Sequence, residues 1–193
     1  MQVNELRSKI VLIAVCCSFS ACLQVFPSFF IYLRANLFSE FWRLWTAHWV
    51  HVGWVHYLLN MLAFVCLPFI FPQIKNKIFV TLLFVLSPLI SLVFYFLYLA
   101  IEAYAGLSGV LHGLYVFAAI LYLTIPTERK FALLILTLVM VKLLWENTFG
   151  QTGTAELIGS PVLVEAHLWG AICSTILALL YLLFKHKCLK IDG

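Results

Sequence analysis

Charge is what this chain has least of. Only 10% of its 193 residues are charged, against 64% hydrophobic residues and a mean hydropathy of +1.05. A soluble core of this length could not hide so much apolar surface, so the composition places the chain in a membrane. Charged residues near the middle of the apolar runs are missing, which argues against a transporter. The six cysteines form no CxxC pair. Five of them, Cys16, Cys17, Cys22, Cys66 and Cys173, fall within apolar runs and Cys188 lies in a basic tail, so neither a disulfide nor metal or redox work is expected. The sequence shows no soluble domain, internal repeat, low-complexity linker, phosphate-binding glycine loop or nucleic-acid module.

What is present is a series of apolar runs, each near the ~20 residues a helix needs to cross hydrocarbon. They cover about 10–33, 52–71, 78–101, 107–125, 131–149 and 162–184. The pattern predicts a single all-α membrane domain over 1–193 with six transmembrane helices. The fifth run reaches full length only if it continues to Phe149 with Lys142 snorkelling. The first imitates a signal peptide, with Arg7 and Lys9 ahead of it and Ser20-Ala21-Cys22 resembling a processing site. Its apolar character continues to Leu33, which favours an uncleaved anchor helix.

Nine of the twelve Lys and Arg residues fall on one set of span ends, the termini included, and three (Arg34, Arg43 and Lys142) on the other. That asymmetry puts both termini in the cytoplasm. The net charge of +4 therefore reports topology and not a nucleic-acid partner. The second, fourth and sixth spans then run inward from the outer side. His56, Ser108 and His167 each lie near the start of one of them, at a shared shallow depth.

Spacing suggests that these residues meet. His56 and Asn60 are four apart on one helical face, as are Ser108 and His112. Gly109 and Gly113 make a small-residue surface on the fourth span, and Gly170 and Ser174, with Ala171 beside them, make another on the sixth. His167 shares the face of the second surface, so close packing of the two spans would bring it within hydrogen-bond range of Ser108. A serine hydroxyl becomes a nucleophile when an adjacent base takes its proton, and histidine can accept that proton and return it. His56, Asn60 and the Ser108 backbone N–H are candidate donors to an oxyanion. Glu165 projects from nearly the opposite helix face to His167, so no third acid is visible and a Ser-His dyad is expected. His112 reads either as helix–helix glue or as a ring packed against His167.

The order of these motifs resembles the rhomboid intramembrane serine proteases. The resemblance runs from Glu40 to about Ser174 through Glu40-Phe41-Trp42-Arg43, His51, His56, Asn60, Gly106-Leu107-Ser108-Gly109 and Ala166-His167-Leu168-Trp169-Gly170. It implies a six-helix bundle with a water-filled cavity open to the outer side, Ser108 as nucleophile and His167 as base. It further implies His56 and Asn60 at the oxyanion, Gly106, Gly109 and His112 in support, and Glu40, Arg43 and His51 holding the loop before the second span. The same loop carries Trp42, Trp45, Trp49 and Trp54, whose rings suit the headgroup level. Glu146 to Pro161, with Gly150, Gly153 and Gly159, would be a cap over the site. Substrate would enter sideways near the second and fifth spans.

Two positions depart from the common rhomboid pattern. His112 stands where many members have Tyr, and Ser174 where Gly is common. The Gly-Leu-Ser-Gly-Val-Leu-His-Gly string, the Glu165-Ala166-His167 before Leu168 and the bare six-span length look most like the rhombosortase branch, linked to exported proteins with a Gly-Gly, transmembrane and basic C-terminal tail. The resemblance implies a membrane-anchored protein substrate, a bacterial inner-membrane location with the site facing the periplasm, and no cofactor or metal. The competing readings are a catalytically silent rhomboid-like binding protein and a membrane haem or metal protein ligated by His56, His112 and His167. An α/β-hydrolase is not expected, because the sequence predicts no strand ahead of Ser108 and the elbow's final glycine is missing.

Overall fold

Backbone polar groups left unpaired in hydrocarbon are costly, so an apolar chain crosses it as helices that satisfy themselves. The computed structural model describes residues 3–150 and 152–191, with side chains at 3–150 and 153–185. Its helices are α1 (Val3–Leu23), α2 (Arg43–Thr46), α3 (Trp54–Ile70), α4 (Asn76–Leu97), α5 (Ser108–Tyr122), α6 (Arg129–Phe149), α7 (Thr152–Ile158) and α8 (Val164–Ile191). Four of them, α1, α4, α6 and α8, are long and apolar enough to cross a membrane, and α3 and α5 are shorter apolar helices. The protein is an integral membrane protein.

Contacts at the two ends of the bundle fix how the helices alternate. Lys9 Nζ donates to the carbonyl oxygens of Pro68, at 3.4 Å, and of Pro72, while Asn76 Nδ2 donates to Ser8 Oγ at 2.9 Å. The start of α1, the end of α3 and the start of α4 therefore lie together. The backbone N–H of Gln73 donates to the Tyr122 hydroxyl at 2.9 Å, which brings the end of α5 to the same side. At the far end the Gln24 amide clamps the backbone of His51 from both directions, at 2.8 and 2.7 Å.

The first apolar run does not stay helical to Leu33. Helix α1 ends at Leu23, and Pro27 opens a 3-10 turn, Pro27–Phe29. Proline disfavours helix in the residue before it and lacks the N–H a continuing helix would use. The chain then forms β1 (Tyr32–Leu33), paired antiparallel with β2 (Ala103–Tyr104) in the register Tyr32 to Tyr104. Apolarity alone could not separate helix from these few extended residues. The third run likewise leaves its helix at Leu97 and feeds β2.

Helix α5 is the hub. Eleven of its fifteen residues are buried, whereas the long helix α6 buries only Ala132, Leu143 and Glu146. Fifteen residues rise about 22 Å, short of the ~30 Å hydrocarbon thickness, so α5 can begin below one membrane surface. Its partner is α8, and glycine permits their approach. A Cβ on Gly109 would lie 2.7 Å from the Ala166 oxygen, one on Gly113 would lie 2.8 Å from that of Gly170, and one on Gly170 would collide with the Gly109 carbonyl. Ser174 Oγ donates to the Gly113 oxygen at 2.5 Å, adding a hydrogen bond where an apolar residue would add only contact.

The cysteines Cys16, Cys17, Cys22, Cys66 and Cys173 are free thiols. The side chain of Cys188 lies outside the described residues.

Candidate active site

Ser108 opens α5, His56 lies in the first turn of α3, and His167 in the first turn of α8. Because α5 and α8 touch backbone to backbone, the two polar residues on their facing sides converge. His167 Nε2 and Ser108 Oγ are 2.8 Å apart, close enough for the hydroxyl to donate to the imidazole. His167 is 4% exposed, so its ring has little freedom to turn away.

The loop entering α5 is set by Gly106, whose φ of +142° is a backbone conformation that side-chain-bearing residues rarely adopt. A Cβ there would also lie 2.8 Å from the His56 ring. The Gly106 N–H donates to Ala47 O at 3.0 Å, and its carbonyl accepts from the Tyr104 hydroxyl at 2.6 Å. The turn that delivers Ser108 is thus tied to β2 and to the loop after α2.

Two cavities share Ser108 and His56. One, of about 280 Å³, is lined by His56, Asn60, Ser108, His112, Lys142 and His167 together with apolar residues of α3, α5 and α6. The other, of about 290 Å³, extends from the same pair past Ala103 and Tyr104 to Pro161 and Leu163. Asn60 Nδ2 donates to its own helix's His56 carbonyl at 2.9 Å, which fixes the amide on the cavity side. Gly150, with φ +76°, ends α6, and from α7 Thr154 and Ile158 line the first cavity.

His112 lies flat against His167, with centroids 4.2 Å apart and planes inclined by 17°. Its Nδ1 is 2.7 Å from the Ser108 carbonyl oxygen, which only accepts, so Nδ1 carries the proton. The ring-packing alternative read from the sequence is the one observed.

Glu146 is the residue the sequence reading missed. Assigned there to the cap, it stands instead in the last turn of α6, 2% exposed, with Oε2 at 2.7 Å from His167 Nδ1. The expectation of no third acid is therefore corrected. Lys142, one turn earlier on α6, is ion-paired to the other carboxylate oxygen and lines the cavity. An acid four residues after the one lysine of this span was the available signal.

His112, Glu146 and His167 bring potential metal-ligand atoms within 4.8 Å of one another. Imidazole lone pairs lie in the ring plane, and two stacked rings cannot aim theirs at one ion about 2.0–2.1 Å from each nitrogen. Both nitrogens of His167 are moreover already engaged, by Ser108 and by Glu146. The cluster is a hydrogen-bonded stack and not a coordination centre.

The loop residues also find partners. Arg43, 5% exposed, is ion-paired to Glu40 and donates to the carbonyls of Ser28 at 3.1 Å and Ile31 at 2.7 Å. It ties α2 to the turn after α1, and the Arg43 guanidinium with Asn36 holds the Glu40 carboxyl below its ordinary pKa. His51 presents its ring edge-on to His56 at 5.0 Å and to Tyr57 at 5.6 Å. Burial pushes the imidazoles of His48 and His51 down to about 3. Trp45 Nε1 donates to Phe84 O at 2.9 Å and Trp42 Nε1 to Phe29 O at 3.2 Å, while Trp54 stays largely exposed.

No curated protein matches the chain. Residues 38–184 match the rhomboid domain, a span that contains every residue of the site described above. The chain belongs to the rhomboid family, which implies an intramembrane serine protease acting on membrane proteins.

Proposed function

We propose that this protein is an intramembrane serine endopeptidase in which Ser108 is the nucleophile and His167 the general base and acid. The observation that carries the reading is the 2.8 Å approach of Ser108 Oγ to His167 Nε2 beside a cavity at one end of an apolar bundle. As Oγ bonds to the scissile carbonyl carbon, its proton passes to Nε2. The negative charge on the carbonyl oxygen is met by the His56 imidazole, the Asn60 amide and the Ser108 N–H at the start of α5. Collapse breaks the C–N bond, His167 returns the proton to the leaving amine, and the acyl-enzyme remains. Water then attacks the ester with His167 again as base, releasing a carboxylate and restoring the serine.

The whole chain, 1–193, is read as one six-span domain with both termini cytoplasmic and the site facing the periplasm of a bacterial inner membrane. The Lys and Arg asymmetry supports that orientation. The substrate class is a membrane-tethered exported protein cut in its C-terminal anchor. The rhombosortase-like motif around Ser108 and His112 favours Gly-Gly sorting tails. No cofactor is required by this chemistry.

Co-expression with a Gly-Gly-tailed reporter tests the reading. The wild type should produce a shortened reporter whose new C-terminus maps near the Gly-Gly pair by mass spectrometry, and Ser108→Ala should not. Unprocessed reporter with inserted wild-type enzyme would remove the substrate assignment. Equal processing by Ser108→Ala would remove the nucleophile.

A further inference from the structure

The geometry points to Glu146 as a positioning residue that turns the Ser108–His167 pair into a Ser-His-Glu relay, with Lys142 as the carboxylate's countercharge. This rests on the serine-protease reading above and deepens it. The carboxylate oxygen Oε2 lies 2.7 Å from His167 Nδ1, and Ser108 Oγ lies 2.8 Å from Nε2, so the imidazole is gripped at both nitrogens. An ionised carboxylate only accepts hydrogen bonds, which places the ring proton on Nδ1 and leaves the Nε2 lone pair facing the serine. That tautomer is the one able to take the hydroxyl proton, and the carboxylate stabilises the imidazolium that results.

Glu146 is 2% exposed, where a lone carboxylate would be strongly disfavoured. The Lys142 ammonium pairs with its other oxygen and, with 47% of its side chain exposed, keeps contact with the cavity side. Among the buried residues of α6, only Glu146 is polar. A burial that costs this much on an otherwise apolar face needs a return, and the grip on His167 provides one. The second side of the ring is held by the His112 stack, so rotation about the Cβ–Cγ bond is blocked while the edge-on hydrogen bonds choose the proton's position.

A merely structural tether between α6 and α8 predicts something different from a relay. Glu146→Gln keeps size and hydrogen-bonding capacity but allows the amide N–H to donate to Nδ1, moving the ring proton to Nε2. The test is the rate of Ser108 phosphonylation by a fluorophosphonate in detergent, with ¹⁵N-histidine NMR to assign the His167 tautomer. The relay predicts an Nδ1–H tautomer with a strongly downfield proton in the wild type. It also predicts a rate loss of at least about a hundredfold in Glu146→Gln and recovery to within about tenfold of wild type in Glu146→Asp. Gln labelling within about threefold of wild type, or a wild-type Nε2–H tautomer, would overturn it, and the latter needs no variant to fold. If wild-type Ser108 fails to label at all, it is the protease reading that falls.

Discussion

The carbonyl oxygen of Gly109 occupies the place a side chain on Gly170 would need, so α5 and α8 touch through bare backbone. Everything at the site follows from that approach, because Ser108 sits one residue before the first glycine and His167 three before the second. Gly170→Ala should therefore push the helices apart. Overpacking of this kind costs about 1–3 kcal/mol, and the lost Ser108–His167 contact should remove activity as well. Thermal inactivation in detergent and reporter cleavage measure both. Unchanged stability with full activity would show that the approach is looser than described.

The His112 ring contributes its face to His167 and its Nδ1–H to the Ser108 carbonyl. If the face matters more, His112→Tyr should retain cleavage within about tenfold while His112→Ala loses considerably more. Equal losses in both would assign the function to the nitrogen instead.

His56→Ala and Asn60→Ala should each slow cleavage about a hundredfold, roughly 3 kcal/mol of transition-state stabilisation, with less effect on apparent substrate affinity. Their losses should be milder than that of Ser108→Ala, since other oxyanion donors remain. A variant that changes KM alone would move its residue from the oxyanion to substrate binding.

The loop before α3 should be acid-sensitive. Unfolded histidine takes up a proton below about 6.5, whereas buried His48 and His51 stay neutral until about 3. The unfolded state binds more protons in that window, so their contribution is complete above 6.5 and is lost as pH falls, by about 1.4 kcal/mol per unit for each histidine. Between pH 7 and pH 5 this amounts to about 2 kcal/mol each. Both ring nitrogens of His51 lack a hydrogen-bond partner among the described residues, so phenylalanine there would break no side-chain hydrogen bond. His51→Phe should make the inactivation midpoint fall less steeply with acid. An identical pH slope in the variant would rule His51 out as a source of the sensitivity.

Much of this arrangement was legible along the chain. The small residues at 109, 113, 170 and 174 fall on helical faces, and local periodicity alone indicates that those faces pack closely. Ser108 and His167 come together as a consequence. Glu146 was illegible for the opposite reason. An acid at the outer end of a span ordinarily belongs to water, and nothing local says that α6 turns this one inward onto a ring 21 residues further on. The end of the first helix was hidden differently. Tyr32 and Leu33 are as apolar as the helix before them, and only their pairing with Ala103 and Tyr104, far along the chain, decides that they are extended.

The central claim is that Ser108 is a nucleophile activated by His167. Its most direct measurement is fluorophosphonate labelling of the purified protein followed by mass spectrometry of the modified peptide. The label should appear on Ser108 in the wild type and be lost in His167→Ala while that variant remains folded. Labelling at another residue, no labelling of the folded wild type, or undiminished labelling of His167→Ala would contradict it.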